Sequence, residues 1–158
     1  MANTTRWILD TAWTAATFTA GDFNSLASGG GGLSTAAITN SSNLDLYCDV
    51  SGVVTVGGTT VTAGFLSLFL LPLLQDGSTY GDGYVSSTTV QPVSTYLAGN
   101  SQVKVGVTSG NTVTFMMRGL ILPPGDFKFA LGNNLTIALY TTAALTLKYR
   151  TYNENLNV

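Results

Sequence analysis

Carboxylates, tyrosines and a single thiol are the side chains from which this chain could build covalent or acid–base chemistry. There is no histidine, which removes the commonest general base, the histidine-containing triads and histidine-based metal sites. One cysteine excludes an intramolecular disulfide. The carboxylate pair to weigh is Asp76 and Asp82, in the run Asp76-Gly77-Ser78-Thr79-Tyr80-Gly81-Asp82-Gly83-Tyr84. Paired carboxylates hydrolyse glycosides when one of them is held protonated, and nothing in this run raises either pKa. The same loop could serve a sugar without cleaving it, with Asp76 and Asp82 as acceptors and Tyr80 and Tyr84 as a stacking face. A calcium loop needs more carboxylates at closer spacing. The glycines at 29–32 are followed by neither a lysine nor a G-x-G-x-x-G pattern, so they do not read as a phosphate cradle. The expectation is a protein without catalytic residues, metal or cofactor, whose function lies in its surfaces.

Composition points the same way. The 158 residues are 45% hydrophobic but only 9% charged, against about 25% charged in an ordinary globular domain. Such a surface, made largely of Thr, Ser, Asn and Gly, needs another way to stay soluble or is meant to be covered by a partner. The net charge is −2, and Arg6, Lys104, Arg118, Lys128, Lys148 and Arg150 are scattered, so neither nucleic acid nor an anionic membrane is an expected partner. The longest apolar run, Phe65–Leu74, has ten residues, where a membrane-spanning helix needs about 20. Met1–Arg6 leads into Trp7-Ile8-Leu9-Asp10 with no apolar signal region, so synthesis in a cytoplasm is expected.

The elements that must position these surfaces are strands. Phe127, Phe129 and Leu131 alternate with Lys128 and Ala130; Leu135, Ile137 and Leu139 alternate with Thr136 and Ala138; Leu145, Leu147 and Tyr149 alternate with Thr146, Lys148 and Arg150. Period two puts each apolar set on one face of a half-buried strand. Further strands are expected over Val113–Leu122, around Val103–Val107, and over Leu44–Val50, where Cys48 falls on the apolar face and Asp45 and Asp49 point outward. Pro123-Pro124-Gly125-Asp126 and Gly132-Asn133-Asn134 read as turns, and Gly57-Gly58 as the turn of a hairpin from Val53 to Thr62. Ala20–Ala27 reads as a short helical turn with Asp22 as N-cap. Phe65–Leu71 is apolar on both faces: Phe65, Phe69 and Leu71 on one side, Leu66, Leu68 and Leu70 on the other. Such a strand is either central in a covered sheet or pressed against another subunit.

About eight strands without a long helix give an all-β, two-sheet antiparallel sandwich, with a jelly roll favoured over an immunoglobulin-like arrangement. The four glycines set residues 1–32 apart as an N-terminal arm and joint, leaving 33–158 as the sandwich domain. Trp7, Trp13, Phe18 and Phe23 on that arm, with Leu66, Leu68 and Leu70 of the doubly apolar strand, are the candidate interface residues.

Several segments, taken in order along most of the chain, resemble one family. They are Phe18-Thr19-Ala20-Gly21-Asp22-Phe23-Asn24-Ser25-Leu26-Ala27, Asn43-Leu44-Asp45-Leu46-Tyr47, Leu71-Pro72-Leu73-Leu74-Gln75-Asp76-Gly77-Ser78-Thr79-Tyr80, Leu122-Pro123-Pro124-Gly125-Asp126-Phe127-Lys128-Phe129 and Arg150-Thr151-Tyr152-Asn153-Glu154. The family is that of the jelly-roll cement, or decoration, proteins of tailed bacteriophages. The resemblance implies a structural virion protein that binds the major capsid protein on the capsid exterior, bridges capsid subunits and self-associates as a dimer or trimer. The competing expectation is a receptor- or carbohydrate-binding module of a phage tail or fibre.

Overall fold

The computed structural model describes residues 4–9, 12–83 and 90–157, with the backbone alone for 4–9, 20 and 154–157. Among the described residues the chain forms nine strands: β1 (Thr4–Leu9), β2 (Thr14–Ala16), β3 (Gly31–Leu33), β4 (Tyr47–Thr55), β5 (Gly64–Pro72), β6 (Leu97–Gln102), β7 (Thr112–Ile121), β8 (Phe127–Leu135) and β9 (Leu145–Asn157). Every pairing is antiparallel. β2 lies on β9, β3 on β8, β4 on β7 and β5 on β6, so the two halves of the chain run as one long ribbon. Rolled up, that ribbon gives two sheets, β1/β2-β9-β4-β7 and β3-β8-β5-β6. This is a jelly-roll sandwich. β1 is the strand beyond the expected eight, and it continues along the edge of β9 that β2 begins.

Alternation builds the core as the sequence leads one to expect. In β7, Val113, Phe115 and Met117 are buried while Thr112, Thr114, Met116 and Arg118 are exposed. Gly119, at φ 63°, then shifts the phase, so that Leu120 turns inward and Ile121 outward. These residues meet Cys48, Val50, Val54 and Leu147 of their own sheet and Leu66, Leu68, Phe127, Phe129 and Leu131 of the other. Each such side chain contributes roughly 1.5–3 kcal/mol by leaving water.

β5 is apolar on both faces because its own chain covers both. Leu66, Leu68 and Leu70 point into the main core. On the other side Phe69 and Leu71 pack with Leu33, Ala130 and Tyr80, joined by Leu73 and Tyr96. Tyr80 and Tyr96 come from the excursion between β5 and β6, which lies across the outside of the sheet as a strap. The Lys128 ammonium sits 4.8 Å over the Tyr80 ring. No second subunit is needed to cover that strand.

Glycines and Asn account for the local departures from expectation. Gly132-Asn133-Asn134 lies inside β8, paired with β3 and β5, and does not turn the chain. Gly132 leaves room for the Gln91 side chain, whose amide carbon would lie 2.6 Å from a Cβ there. Asn133 is buried and bonds outward from the strand, donating to the carbonyls of Leu26 (2.9 Å) and Ile137 (3.1 Å). The region expected as a strand over Leu135–Tyr140 is therefore a bend, in which Leu139 makes only an isolated bridge to Val56. Gly57-Gly58 carries the crossover from one sheet to the other, with Gly57 against the backbone of Leu139. β4 and β5 do not form a hairpin. The strand expected around Val103–Val107 lies earlier, as β6, and Gly106 (φ 81°) turns the chain there.

The glycine run is likewise built into the sheet. Gly31 and Gly32 are buried strand residues opposite Gly132 and Leu131, and the Phe23 ring lies 2.5 Å from where a Gly32 Cβ would be. Close approach of other groups, in place of a loose joint, is what the run provides. Ala20–Phe23 is a 3-10 turn whose N-cap position is Thr19, so Asp22 sits within the turn.

Candidate interaction surfaces

The two sheets differ in what lies outside them. The strap covers β3-β8-β5-β6 and is fastened by polar contacts: Gln91 donates to the Asn133 carbonyl (3.2 Å) and to Asn134 Oδ1 (3.1 Å), and Asn134 donates to Ser67 Oγ (2.7 Å). The outer face of the β9-β4-β7 sheet carries no such cover among the described residues.

At the centre of this open face is Asp49. Its carboxylate accepts from Arg150 Nη2 (2.9 Å) and Nε (3.2 Å), from the Gly119 N–H (3.1 Å) and from the Tyr152 hydroxyl (3.2 Å). Burial pushes its pKa up, but these donors and the guanidinium charge outweigh burial and hold the carboxyl below its ordinary value. Tyr152 in turn stacks on Tyr47, ring centroids 5.7 Å apart. Asp49 was expected to be solvated. It is buried because the unbroken β4–β9 register sets it directly opposite Arg150, and the β7 bulge at Gly119 turns an N–H onto it. Asp45, also expected outside, is buried: its N–H donates to Asn40 Oδ1 (2.9 Å) and its side chain accepts from Asn153 (2.9 Å).

The same turn expels two leucines. Leu44, at φ 51°, and Leu46 are 57% and 53% exposed, and Ile121 is 76% exposed. The three gather where β4 begins and β7 ends, since the Leu46 carbonyl accepts from the Leu122 N–H (2.9 Å) and Tyr47 pairs with Ile121. Met116 is also exposed on this face. Strand alternation read Leu44 and Leu46 as core and so missed the patch. A glycine inside β7 was the available signal that Ile121 would turn outward.

Of the candidate interface residues, Trp13 is on the open face, 37% exposed, with the Arg150 guanidinium 4.9 Å from its ring. It borders a shallow depression of about 480 Å³ lined with Ser51, Gly52, Val53, Thr146 and Lys148. Phe18 meets Phe23 edge-on at 5.3 Å, and Phe23 is in the main core of its own subunit. Leu66 and Leu68 are 0% exposed and Leu70 is buried with them, so all three serve the core. The Trp7 side chain lies outside the described residues; its backbone pairs with Glu154.

The loop considered for sugar chemistry is occupied with holding its own shape. Asp76 accepts from the N–H groups of Ser78 (3.0 Å) and Thr79 (2.8 Å), and the Thr79 hydroxyl, together with these N–H groups, holds its pKa at about 2, opposite to what a general acid requires. Asp82 accepts from the Val93 N–H (2.8 Å). Tyr80 is buried beneath Lys128, and Tyr84 lies outside the described residues. Among the described residues there is no group of three or more His, Cys, Asp or Glu side chains placed to hold a metal and no helix long and apolar enough to cross a membrane. No protein-family model matches the chain, and no curated protein matches it.

Proposed function

We propose that this protein is a structural virion protein, a cement or decoration protein that binds the outside of a phage capsid and stabilises it by bridging capsid subunits. The observation that carries the reading is the exposure of three large apolar side chains, Leu44, Leu46 and Ile121, where β4 begins and β7 ends, in a chain with only 9% charged residues. Isolated exposed leucines need no explanation, whereas an apolar group rimmed by polar side chains marks a protein-binding surface. The resemblance of five segments to jelly-roll cement proteins and the jelly-roll topology agree with it. So does the lack of histidine, which leaves contacts indifferent to pH near neutrality. The partner is the major capsid protein, made with this chain in the host cytoplasm.

Co-sedimentation with capsids of the phage that encodes the protein tests this. Ile121→Asp and Leu46→Asp replace exposed side chains and leave the core alone, so both variants fold, and each weakens capsid binding by about tenfold or more. Unchanged binding in both variants overturns the assignment of this surface, and no binding by the wild type overturns the function. A second reading, a carbohydrate-binding module of a tail or fibre, is favoured by one observation, the shallow depression in which Trp13 lies beside Ser51, Thr146 and Lys148. Glycan binding that is lost in Trp13→Ala, without capsid binding, selects it.

A further inference from the structure

The two long sides of the sandwich are finished differently. On one, the sheets are tied together: Phe18 bridges Ser34, and the Thr35 N–H donates to the Thr17 carbonyl (2.8 Å). On the other, β6 and β7 are the end strands of their sheets, and a groove of about 640 Å³ opens between Leu97 and Ile121. β7 is the longer of these two edges, ten residues with Arg118 as their one charge. Natural edges are guarded by charges, prolines, bulges or covering segments. β7 has its one charge, Arg118, and its bulge, at Gly119, only toward one end, and residues 112–117 carry neither.

The direction of its free hydrogen-bonding groups can be assigned. Asn111 gives its carbonyl to Val56, and the Gly119 N–H donates to Asp49, both on the β4 side. By strand alternation Val113, Phe115 and Met117 also bond toward β4, and Thr112, Thr114, Met116 and Arg118 present their N–H and C=O groups to the open edge.

We propose that β7 pairs with β7 of a second copy, antiparallel about a two-fold axis at Phe115, joining the two open faces into one continuous sheet. In this register Thr112 faces the partner's Arg118 and Thr114 faces the partner's Met116, so all four open residues are used, giving about eight hydrogen bonds. Outward residues meet outward ones, and Val113, Phe115 and Met117 stay on the core side of both copies. Like charges are never opposite. The two Arg118 side chains lie about 20 Å apart at about 3.4 Å per residue, well beyond the Debye length of about 8 Å. Such an edge is complementary to itself, which a two-fold contact requires. The pairing deepens the capsid-binding reading by presenting the Leu44–Leu46–Ile121 patch twice, and it is testable without a capsid.

Sedimentation equilibrium of the full chain, with amide exchange resolved to single residues, is the test. A dimer is expected, in which the amides of Thr112, Thr114, Met116 and Arg118 slow by about tenfold or more as concentration rises. Val113 and Phe115 are protected throughout. Thr114→Pro removes an outward N–H without touching the bonds to β4, and is expected to be a folded monomer. A wild-type monomer at the highest concentration, a dimer with those four amides unprotected, or a folded Thr114→Pro dimer each overturns the proposal. If Thr114→Pro does not fold, the wild-type exchange pattern decides alone. Protection that arises only on adding capsids to a monomeric chain overturns the second copy in favour of a capsid strand. Capsid binding lost in Ile121→Asp while the dimer persists bears on the proposed function only.

Discussion

The sheet covered by the strap and the sheet with the open face solve the same problem in opposite ways. In β5 both faces are apolar, and both are covered by the chain itself: Leu66 and Leu68 by the opposite sheet, Phe69 and Leu71 by Tyr80 and its neighbours. In β7 the faces alternate, and the outer one is left with Thr112, Thr114, Met116 and Arg118 in water. A doubly apolar strand is therefore no pointer to a partner here. What stays exposed is smaller: a few apolar side chains that a left-handed leucine and the glycine bulge of β7 put on the outside of an alternating sheet.

The sharpest way to break this contrast is to truncate β5 on each face. Leu68→Ala opens a cavity in the main core and is expected to destabilise by about 2–5 kcal/mol. Leu71→Ala, in the small cluster under the strap, is expected to fall toward the lower end of the same range, because that site can collapse more easily. Chemical denaturation measures both. If Leu71→Ala were neutral, the strap would be a loose covering instead of a second core.

The strap also shows how far the sequence could be read. β5 was legible from its apolar run, whereas period two located β7, most of β9 and the start of β8, because one buried face dictates side-chain type at every second position. It failed where an apolar or polar residue was placed by a neighbour distant in sequence. Gly132 and Asn133 look like a turn locally, yet they remain in a strand because Gln91 needs the space and the carbonyls of Leu26 and Ile137 take the amide. Asp49 looks solvated until Arg150, about a hundred positions on, is brought over it. Of the candidate interface residues whose side chains are described, only Trp13 was placed on the open face. The patch proper was hidden by the phase changes at Leu44 and Gly119.

On the open face, removing the buried carboxylate is the next largest perturbation. Asp49→Ala leaves Arg150 and the Tyr152 hydroxyl without their shared acceptor and is expected to destabilise by about 1–3 kcal/mol. Because the folded-state pKa of Asp49 is depressed, its contribution is full above the ordinary carboxylate pKa of about 3.9 and is lost as pH falls through the folded value. Acid unfolding followed by circular dichroism should therefore show a shallower loss of stability in Asp49→Ala than in the wild type. Equal slopes would mean that the Arg150 pair does not persist in solution.

The gentlest test uses Cys48, which lies between the two sheets. Burial, with the Asp49 charge adding to it, pushes its thiol up to about 12, so almost none is thiolate at neutral pH. A thiol reagent is expected to label it only after denaturation. Rapid labelling of the native protein would place Cys48 on the open face and reverse the register of β4.

The position of β9 has a further consequence, for synthesis. β9 is made after β1, β2, β4 and β7, yet it lies inside their sheet, with β1 and β2 on one edge and β4 on the other. Until it leaves the ribosome, those earlier strands have no central partner and their edges stay open. Pairings that span nearly the whole chain are slow to form, and unpaired edges invite association with other nascent copies. The sheet with the open face is thus also the one that must wait longer to be closed, and in a chain with so few charges its edges are poorly guarded in the meantime.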